Sequence, residues 1–228
     1  MVQFMSMTRK DREKQAREEE IVDAAMKIFG EKGFEGASMD EIAQEAEFTK
    51  RTLYQYFESK EELFYAAAHK GFLMLIAYLE CTSKPEASGY DRLVQGSFGY
   101  YRFYKECPQI MRLIGEIGAV KKRTGPTSPR LAELMKTDNH LFQWVIDGIR
   151  EGIADGSIRK EVDPALTAFG IIFLMTGFFN QLSATGETFM QHFSIDAEAF
   201  CTHSMNLLFG SIQAGSESRV KEDTHAPA

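Results

Sequence analysis

Apolar residues recur at intervals of three and four along most of this 228-residue chain, and no segment alternates apolar with polar residues over a useful length. This spacing predicts helices, because side chains three and four positions apart lie on the same helical face. Hydrophobic residues make up 44% of the chain and charged residues 26%, as in folded globular proteins. The sequence therefore predicts an all-α protein of about nine helices.

Capping signals place two short helices close together near the N-terminus. Ser38 is followed three residues later by Glu41, the spacing of a capping box. Thr49 is expected to cap the next helix, and only Glu47 and Phe48 separate it from the helix before. Two helices joined by so short a turn are typical of a helix-turn-helix, in which the second helix can enter a major groove of DNA.

The second of these helices lies in the segment FTKRTLYQYFESK, which combines cations with aromatic residues. Leu53 and Phe57, four apart, are expected to face the core. Arg51 is suited to guanine and Gln55 to adenine, since each can make paired hydrogen bonds to its base. Lys60 is expected to hold a phosphate from the start of the following helix.

A plainer interpretation exists for each of these residues taken singly. Adjacent cations are typical of a solvated helix face, and tyrosines often pack half-buried. The net charge is −7, and residues 1–64 carry 10 basic against 15 acidic residues. DNA binding therefore depends on where the cations lie, and the combination of caps, short turn and aromatic spacing favours it.

Residues 33–63, GFEGASMDEIAQEAEFTKRTLYQYFESKEEL, resemble the N-terminal signature of the tetracycline-repressor (TetR) family of transcription regulators. The shared elements are Gly-x-x-x-x-Ser, Ile-Ala-x-x-Ala, Thr-Leu-Tyr-x-Tyr-Phe and Ser-Lys-Glu-Glu-Leu. The dispersed cysteines and an N-terminal sequence without a secretory signal predict a reducing cytoplasm as the compartment. The resemblance implies a homodimer that binds a double-stranded, partly palindromic DNA operator. It also implies a small-molecule effector whose binding releases the DNA, as for a repressor, although an effector that strengthens DNA binding stays open. By position, the DNA-facing residues are Ser38, Met39, Thr49, Lys50, Arg51, Thr52, Tyr54, Gln55 and Lys60.

The turn departs from the family pattern at one position, where Glu47 stands in place of the usual glycine. A residue there is expected to need a positive φ, which costs a residue other than glycine roughly 1 kcal/mol or more. Its carboxylate would also lie near DNA phosphates. We therefore expect Glu47 to affect both the geometry of the turn and DNA affinity.

The predicted organisation has four parts: a flexible N-terminal arm over residues 1–15, a helix-turn-helix DNA-binding domain over 16–62, an effector-binding and dimerisation domain over 63–214, and a disordered tail over 215–228. Segment 8–17 of the basic and acidic N-terminus could reach DNA or fray in solvent. Beyond the DNA-binding domain, helices are predicted over about 59–79, 90–106, 108–118, 129–155, 163–184 and 196–212, with a loop at 121–129.

The C-terminal part is expected to hold an effector pocket with apolar walls. Its candidate lining residues are Phe72, Tyr78, Tyr101, Tyr104, Met111, Ile114, His140, Trp144 and Phe173. Residues of this kind at helical spacing also suit a plain core. No cationic cluster occurs among them, so an apolar or aromatic effector is expected.

The apolar segment FGIIFLMTGFFNQL and the last predicted helix suit a dimer interface, as the resemblance implies. Glycines seven apart on the first helix would let a partner helix approach closely. The expected interface residues are Gly170, Phe173, Gly177, Met205, Leu208, Phe209 and Ile212. Burial within one subunit is the alternative for some of them.

Other classes of protein find less support in the sequence. No catalytic or nucleotide-binding motif occurs, so an enzyme is not expected, and neither is a cofactor. Three dispersed cysteines with no CxxC pair argue against a disulfide framework or a metal site. The longest apolar run, 169–179, falls short of the roughly 18 residues of a membrane span. A ligand-binding or scaffold dimer that has lost specific DNA binding is the main alternative.

Overall fold

The computed structural model describes residues 8–82, 84, 86–124 and 128–215. Within these residues the prediction of an all-α fold is confirmed, and the chain forms ten α-helices. These are α1 (Arg9–Gly36), α2 (Met39–Glu45), α3 (Lys50–Tyr56), α4 (Lys60–Thr82), α5 (Gly89–Glu106), α6 (Pro108–Thr124), α7 (Pro129–Asp155), α8 (Pro164–Gln181), α9 (Glu187–Phe193) and α10 (Ala197–Gly210). A π-helical stretch, Leu182–Gly186, joins α8 to α9.

A first hydrophobic core forms where α1, α2 and α3 meet the start of α4. The rings of Phe29 and Phe34 each meet the ring of Phe64 edge-on, with centroids 5.3 and 5.2 Å apart. Leu53 and Phe57 are 0% and 1% exposed, as the helical spacing predicted. Burial of side chains of this size stabilises the fold by about 1.5–3 kcal/mol each.

The turn between α2 and α3 has the backbone that the sequence predicted. Glu47 has a φ of 57°, in the left-handed region, which aims α3 away from α2. The Ser38 hydroxyl accepts from the Glu41 N–H at 3.2 Å, and the Glu41 carboxylate accepts from the Ser38 N–H at 3.0 Å. The Thr49 hydroxyl accepts from the N–H of Thr52 at 3.1 Å. All three predicted features, the capping box, the Thr49 cap and the strained turn, are present.

Two helices are longer than the sequence analysis predicted. Helix α1 begins at Arg9 instead of near residue 16, because Thr8 forms its own capping box and Arg9 pairs with Glu13 at 2.8 Å. Helix α6 continues past Gly118 to Thr124, since Val120 is buried in the first core. Residues 1–7 of the predicted arm and 216–228 of the predicted tail lie outside the described residues.

A second core joins α4, α5, α7, α8 and α10. Helices α5 and α7 approach so closely that a Cβ on Gly89 would lie 2.1 Å from the backbone nitrogen of Gly152. Helix α7 ends at Gly156, whose φ of 81° gives it the left-handed C-terminal conformation that glycine favours. These contacts position α7 against both α4 and α5, which matters because the three helices surround a cavity.

The helical segment Pro164–Gly186 is long and apolar enough to cross a membrane by length and composition, although its central run alone is not. Its side chains are mostly uncovered, with 22% of its most apolar window buried. A helix that packs against a partner subunit can have the same apolar composition, because interfaces of obligate homodimers are strongly apolar. Composition alone therefore gives weak evidence for a membrane span.

Replacing Glu47 with glycine is expected to stabilise the protein by about 1 kcal/mol, because glycine adopts the left-handed backbone without strain. The free energy of unfolding in urea measures this change. Glu47→Ala is the matched control, since alanine removes the charge but keeps the strain. Equal stabilities of the two variants would show that the backbone at Glu47 is not strained.

Candidate functional site

Helix α3 turns one face to the core and the other to solvent. Lys50, Arg51 and Gln55 are exposed, and the Tyr54 side chain is 47% exposed. A helix of two turns whose inner side is fixed by a buried leucine presents these four side chains together on one surface. The exposed face of α3, defined by these four residues, is therefore available to a large partner.

Three of the polar residues predicted to face DNA, Ser38, Thr49 and Thr52, also make hydrogen bonds within the local structure. The hydroxyls of Ser38 and Thr49 cap α2 and α3. The Thr52 hydroxyl lies 2.8 Å from the Thr49 hydroxyl. Met39 is 5% exposed and belongs to the first core, so its side chain does not lie on an exposed face. The prediction for Met39 is thus corrected: the first turn of α2 packs inward where positional matching alone placed it outward.

The cations near α3 differ in their partners. The Lys50 ammonium donates to the Asp40 carboxylate at 2.7 Å, and this hydrogen bond raises the pKa of Lys50. The Lys60 ammonium lies 4.5 Å from the centre of the Phe34 ring, where the face of the ring attracts it. Arg51 has no ion pair among the described residues. Its guanidinium is thus the cation on the exposed face that is least engaged by the protein itself.

A cavity of about 220 Å³ lies between α4, α5, α6, α7 and α8, with Phe209 of α10 also in its lining. Its walls are almost entirely apolar. Residues from α4 and α5 include Phe72, Leu75, Leu79, Leu93 and Tyr100; those from α6, α7 and α8 include Ile114, Ile117, Met135, Leu141, Trp144, Ile171 and Met175. A concave apolar site of this kind suits a small organic molecule.

A few polar groups face this cavity. Asp138 of α7 is the acidic residue of the lining, and burial raises the pKa of its carboxyl group while Lys121 partly opposes the shift. Burial also raises the pKa of Tyr100 to about 12, and its phenol interacts with Thr176. Ser97 is 4% exposed, and its hydroxyl donates to the Val94 carbonyl at 2.6 Å.

Three of the nine predicted pocket residues, Phe72, Ile114 and Trp144, line this cavity. The other six lie elsewhere, in three kinds of place. Tyr101 and Tyr104 pack on Phe179, Met111 is 2% exposed in the second core, and the Tyr78 hydroxyl donates to Glu106 at 2.9 Å. His140 is exposed, and Phe173 is 75% exposed on α8.

Three residues that line the cavity are not among those predicted from the sequence: Asp138, Ser97 and Tyr100. On the predicted helix 129–155, Asp138 shares a face with Leu141 and Val145, so a single acid on an apolar face was the signal that could have identified it. Tyr100 was passed over for its neighbours Tyr101 and Tyr104, because aromatic spacing alone does not show which face of α5 turns inward.

Four of the seven predicted interface residues lie on the outside of the subunit. Phe173 is exposed, Leu208 is half-buried, and a Cβ added to Gly170 or Gly177 would have no atom within 4 Å. Leu166 and Leu174 extend this surface of α8, with exposures of 74% and 60%. We call the exposed apolar side chains of α8 the outer face.

The other three predicted interface residues are Met205, Phe209 and Ile212, which are 2%, 3% and 6% exposed within a single subunit. They pack in the second core, where α10 contacts α5, so the prediction that they face a partner is corrected. The apolar spacing of α10 identified its buried side, whereas its outer side carries Leu207, 65% exposed.

Helix α6 connects the cavity to the first three helices. Ile114 and Ile117 line the cavity, whereas Glu116 accepts a hydrogen bond from the Phe34 N–H at 2.7 Å. The approach is close because Gly33, with a φ of 72°, has no Cβ; one there would lie 2.8 Å from the Glu116 carboxylate. Arg112 also donates to the Glu31 carbonyl at 3.2 Å. Among the described residues, no group of three His, Cys, Asp or Glu side chains could hold a metal ion.

The sequence of this chain is similar to those of known regulatory proteins. Residues 21–67 match the family profile described as bacterial regulatory proteins, tetR family. The chain is 26% identical over 157 residues to the uncharacterized HTH-type transcriptional regulator YhgD of Bacillus subtilis, covering 67% of this chain and 77% of that protein. It is 30% identical over 120 residues to the HTH-type transcriptional activator FasR of Mycolicibacterium smegmatis, covering 53% and 52%.

The fold agrees with this relationship. The crystal structure of AibR in complex with isovaleryl coenzyme A and operator DNA is similar, with a TM-score of 0.66 and 20% identity over 85% of this chain and 98% of that one. The matched profile covers the helix-turn-helix region, where Glu47 supplies the turn and α3 its exposed face. The match over residues 21–67 places the N-terminal part of this chain in the tetR family of bacterial regulatory proteins.

Proposed function

We propose that this protein is a repressor that binds a palindromic operator as a homodimer and is released by a small apolar or aromatic effector. The proposal rests on the position of α6. Ile114 and Ile117 of this helix line the cavity, and its Glu116 accepts a hydrogen bond from Phe34 of the DNA-binding domain. Helix α6 thus contacts both the proposed site for a small molecule and the domain that carries the proposed DNA-binding surface. The relatives it matches are named as regulators, so we assign it no catalytic role, and the proposed compartment is the cytoplasm.

DNA contact is assigned to the exposed face of α3. Arg51 and Gln55 reach outward from a helix held by two buried residues, which is the geometry of a recognition helix in a major groove. Tyr54 and Lys60 lie at its margins and are assigned to phosphates. The caps at Ser38 and Thr49 hold α2 and α3 in register, so their role in DNA binding is to position the helix.

The homodimer is assigned to the outer face of α8. Leu166, Phe173 and Leu174 are more than half exposed in one subunit, which is costly in water unless a second surface covers them. Gly170 and Gly177 leave open space that a partner helix can enter. Because two-fold pairing uses the same surface on both copies, this one face suffices to form the dimer.

Release by an effector requires that cavity and DNA-binding domain affect each other. A molecule that fills the cavity presses on Ile114 and Ile117, and α6 then shifts the Glu116 contact at the end of α1. Helix α7 offers a second connection, since Arg130 pairs with Glu18 and lies 5.6 Å from the centre of the Phe57 ring. A ligand that favours one placement of these helices changes DNA affinity by its difference in affinity for the two states.

Selection from random double-stranded DNA at near-physiological salt tests the proposal as a whole. An enriched inverted repeat with half-sites about one helical turn apart is the expected result. Addition of cell extract should then reduce recovery of the enriched site. Failure to enrich any site, with and without extract, would contradict the proposal.

A scaffold or ligand-binding dimer without specific DNA binding is the second candidate, and one observation favours it. The N-terminal region is acidic, and Lys50 of α3 is already paired with Asp40. Salt dependence distinguishes the two: log K falls with log salt by about 0.9 for each phosphate contact, whereas a scaffold forms no specific complex.

Arg51→Ala and Lys60→Ala are expected to affect DNA binding in different ways. Loss of Arg51 should remove discrimination at particular operator positions, by about 1–3 kcal/mol for a paired contact to guanine. Loss of Lys60 should weaken all sequences alike and lower the salt slope by about 0.9. Binding to a library of operator variants measures both. Lys60→Arg controls for the packing of Lys60 on Phe34, and indistinguishable profiles for the two alanine variants would refute these assignments.

Asp40→Asn is expected to tighten DNA binding of every sequence about a few-fold, because it releases Lys50 for phosphate and removes a negative charge near the DNA. Titration of labelled operator followed by fluorescence anisotropy measures the change. Asp147→Asn is the matched control, since Asp147 is also a surface acid, paired with Arg150 on α7. Equal affinities of the two variants would mean that Asp40 does not compete with DNA for Lys50.

Phe173→Glu is expected to yield a folded monomer that has lost operator affinity by at least about tenfold, because a charge on the outer face cannot be covered by a partner. Light scattering after size-exclusion chromatography gives the oligomeric state. Leu73→Glu is the control, since Leu73 is also an exposed large apolar residue, 50% exposed, but lies on α4. A dimeric Phe173→Glu variant would place the interface elsewhere.

A further inference from the structure

The cavity has an uneven distribution of charge. Asp138 contributes a carboxylate to its lining, and none of the described residues that line it is lysine, arginine or histidine. Asp138 makes no hydrogen bond through its side chain within the described part of the chain, and that side chain is only partly open to solvent. A partly desolvated carboxylate without a hydrogen-bond donor gains more from a cationic ligand group than a solvated one does.

The remaining polar groups of the lining are those of Ser97, Tyr100, Trp144 and Thr176, and none of them is charged. The Ser97 hydroxyl has its proton committed to the Val94 carbonyl, which leaves its oxygen as an acceptor. The Tyr100 phenol is desolvated by burial and already interacts with Thr176. A ligand with a carboxylate or phosphate would thus meet the like charge of Asp138, whereas a ligand with a protonated nitrogen would meet an opposite charge and the Ser97 acceptor.

Aromatic side chains near Asp138 strengthen this preference. Trp144 follows Asp138 by about 1.7 helical turns along α7, and Phe72 and Tyr100 face the same space from α4 and α5. The faces of aromatic rings attract organic cations, and tryptophan does so best. The positive charge of Lys121 on α6 acts to lower the pKa of Asp138. The Lys121 side chain is exposed, however, and its ammonium donates to the Met135 sulfur at 3.5 Å.

We propose that the cavity takes a lipophilic organic cation: an apolar body with a protonated amine or quaternary ammonium group that the Asp138 carboxylate holds. The inference deepens the proposed function and rests on it for the regulatory consequence, although the binding itself does not. It also separates this chain from the AibR complex, whose ligand is a coenzyme A thioester and carries phosphates.

The chain offers a direct probe of this site, because Trp144 is its single tryptophan and lies in the cavity wall. Three amphiphiles with the same alkyl chain, decyltrimethylammonium, decanol and decanoate, are titrated below their micelle concentrations while Trp144 emission is recorded. We expect the cation to bind at least about tenfold more tightly than the alcohol, and decanoate to bind more weakly than the alcohol.

Variants locate the preference. Asp138→Asn, which keeps the size of the side chain, should bring the cation and the alcohol to about equal affinity. Asp138→Glu should keep most of the preference, and Asp147→Asn, an acid on the outer side of the same helix, should leave it unchanged. Far-ultraviolet circular dichroism confirms that each variant is folded. Equal binding of cation and alcohol in the unmodified protein, tighter binding of decanoate, or no change of Trp144 emission with any of the three would overturn the proposal.

The same titrations on the complex with the selected operator separate this inference from the proposed function. If decyltrimethylammonium fills the cavity with the expected preference but DNA affinity does not change, the regulatory proposal fails and the ligand class stands. If decanol or decanoate dissociates the DNA as well as the cation does, regulation stands and the ligand class is wrong.

Discussion

The hydrogen bond from the Phe34 N–H to the Glu116 carboxylate joins the two functional parts of this protein. It forms at the end of α1, where Gly33 turns the chain with a φ of 72° and lets α6 approach without a Cβ between them. A hydrogen bond to a charged acceptor is worth about 1.5–3 kcal/mol. We therefore expect a movement of α6 to shift α1, and through the shared core α2 and α3.

The acidic N-terminal domain is compatible with DNA binding because its charges are arranged in pairs. Lys27, Lys32 and Lys50 each contact an acid of α2, at 2.6, 2.6 and 2.7 Å. Arg51 stands apart from these pairs on the exposed face of α3. Sequence-specific contact then depends on a few unpaired groups more than on overall charge, which weakens non-specific attraction to phosphates.

The caps and the turn of the N-terminal domain could be predicted from the sequence because their signals are local. Capping at Ser38 and Thr49 and the need for a positive φ at Glu47 depend on residues within a few positions of one another. The cavity could not be predicted in the same way. Whether Tyr100 or Tyr101 turns inward is decided by how α5 packs on α4 and α7, and Met205 is buried because α10 packs against α5 in the second core. Those contacts join residues far apart in the chain.

The central claim is that filling the cavity alters DNA binding through α6, and amide hydrogen exchange at Phe34 measures this most directly. The exchange rate of that N–H is followed as the cavity is filled with whichever of the three amphiphiles changes Trp144 emission, in the unmodified protein and in Glu116→Gln. We expect filling of the cavity to change the exchange rate of the Phe34 N–H at least about tenfold in the unmodified protein, together with DNA affinity. The change should be smaller in Glu116→Gln, because its neutral side chain holds the Phe34 N–H more weakly. Altered DNA affinity with Phe34 exchange unchanged would contradict the central claim.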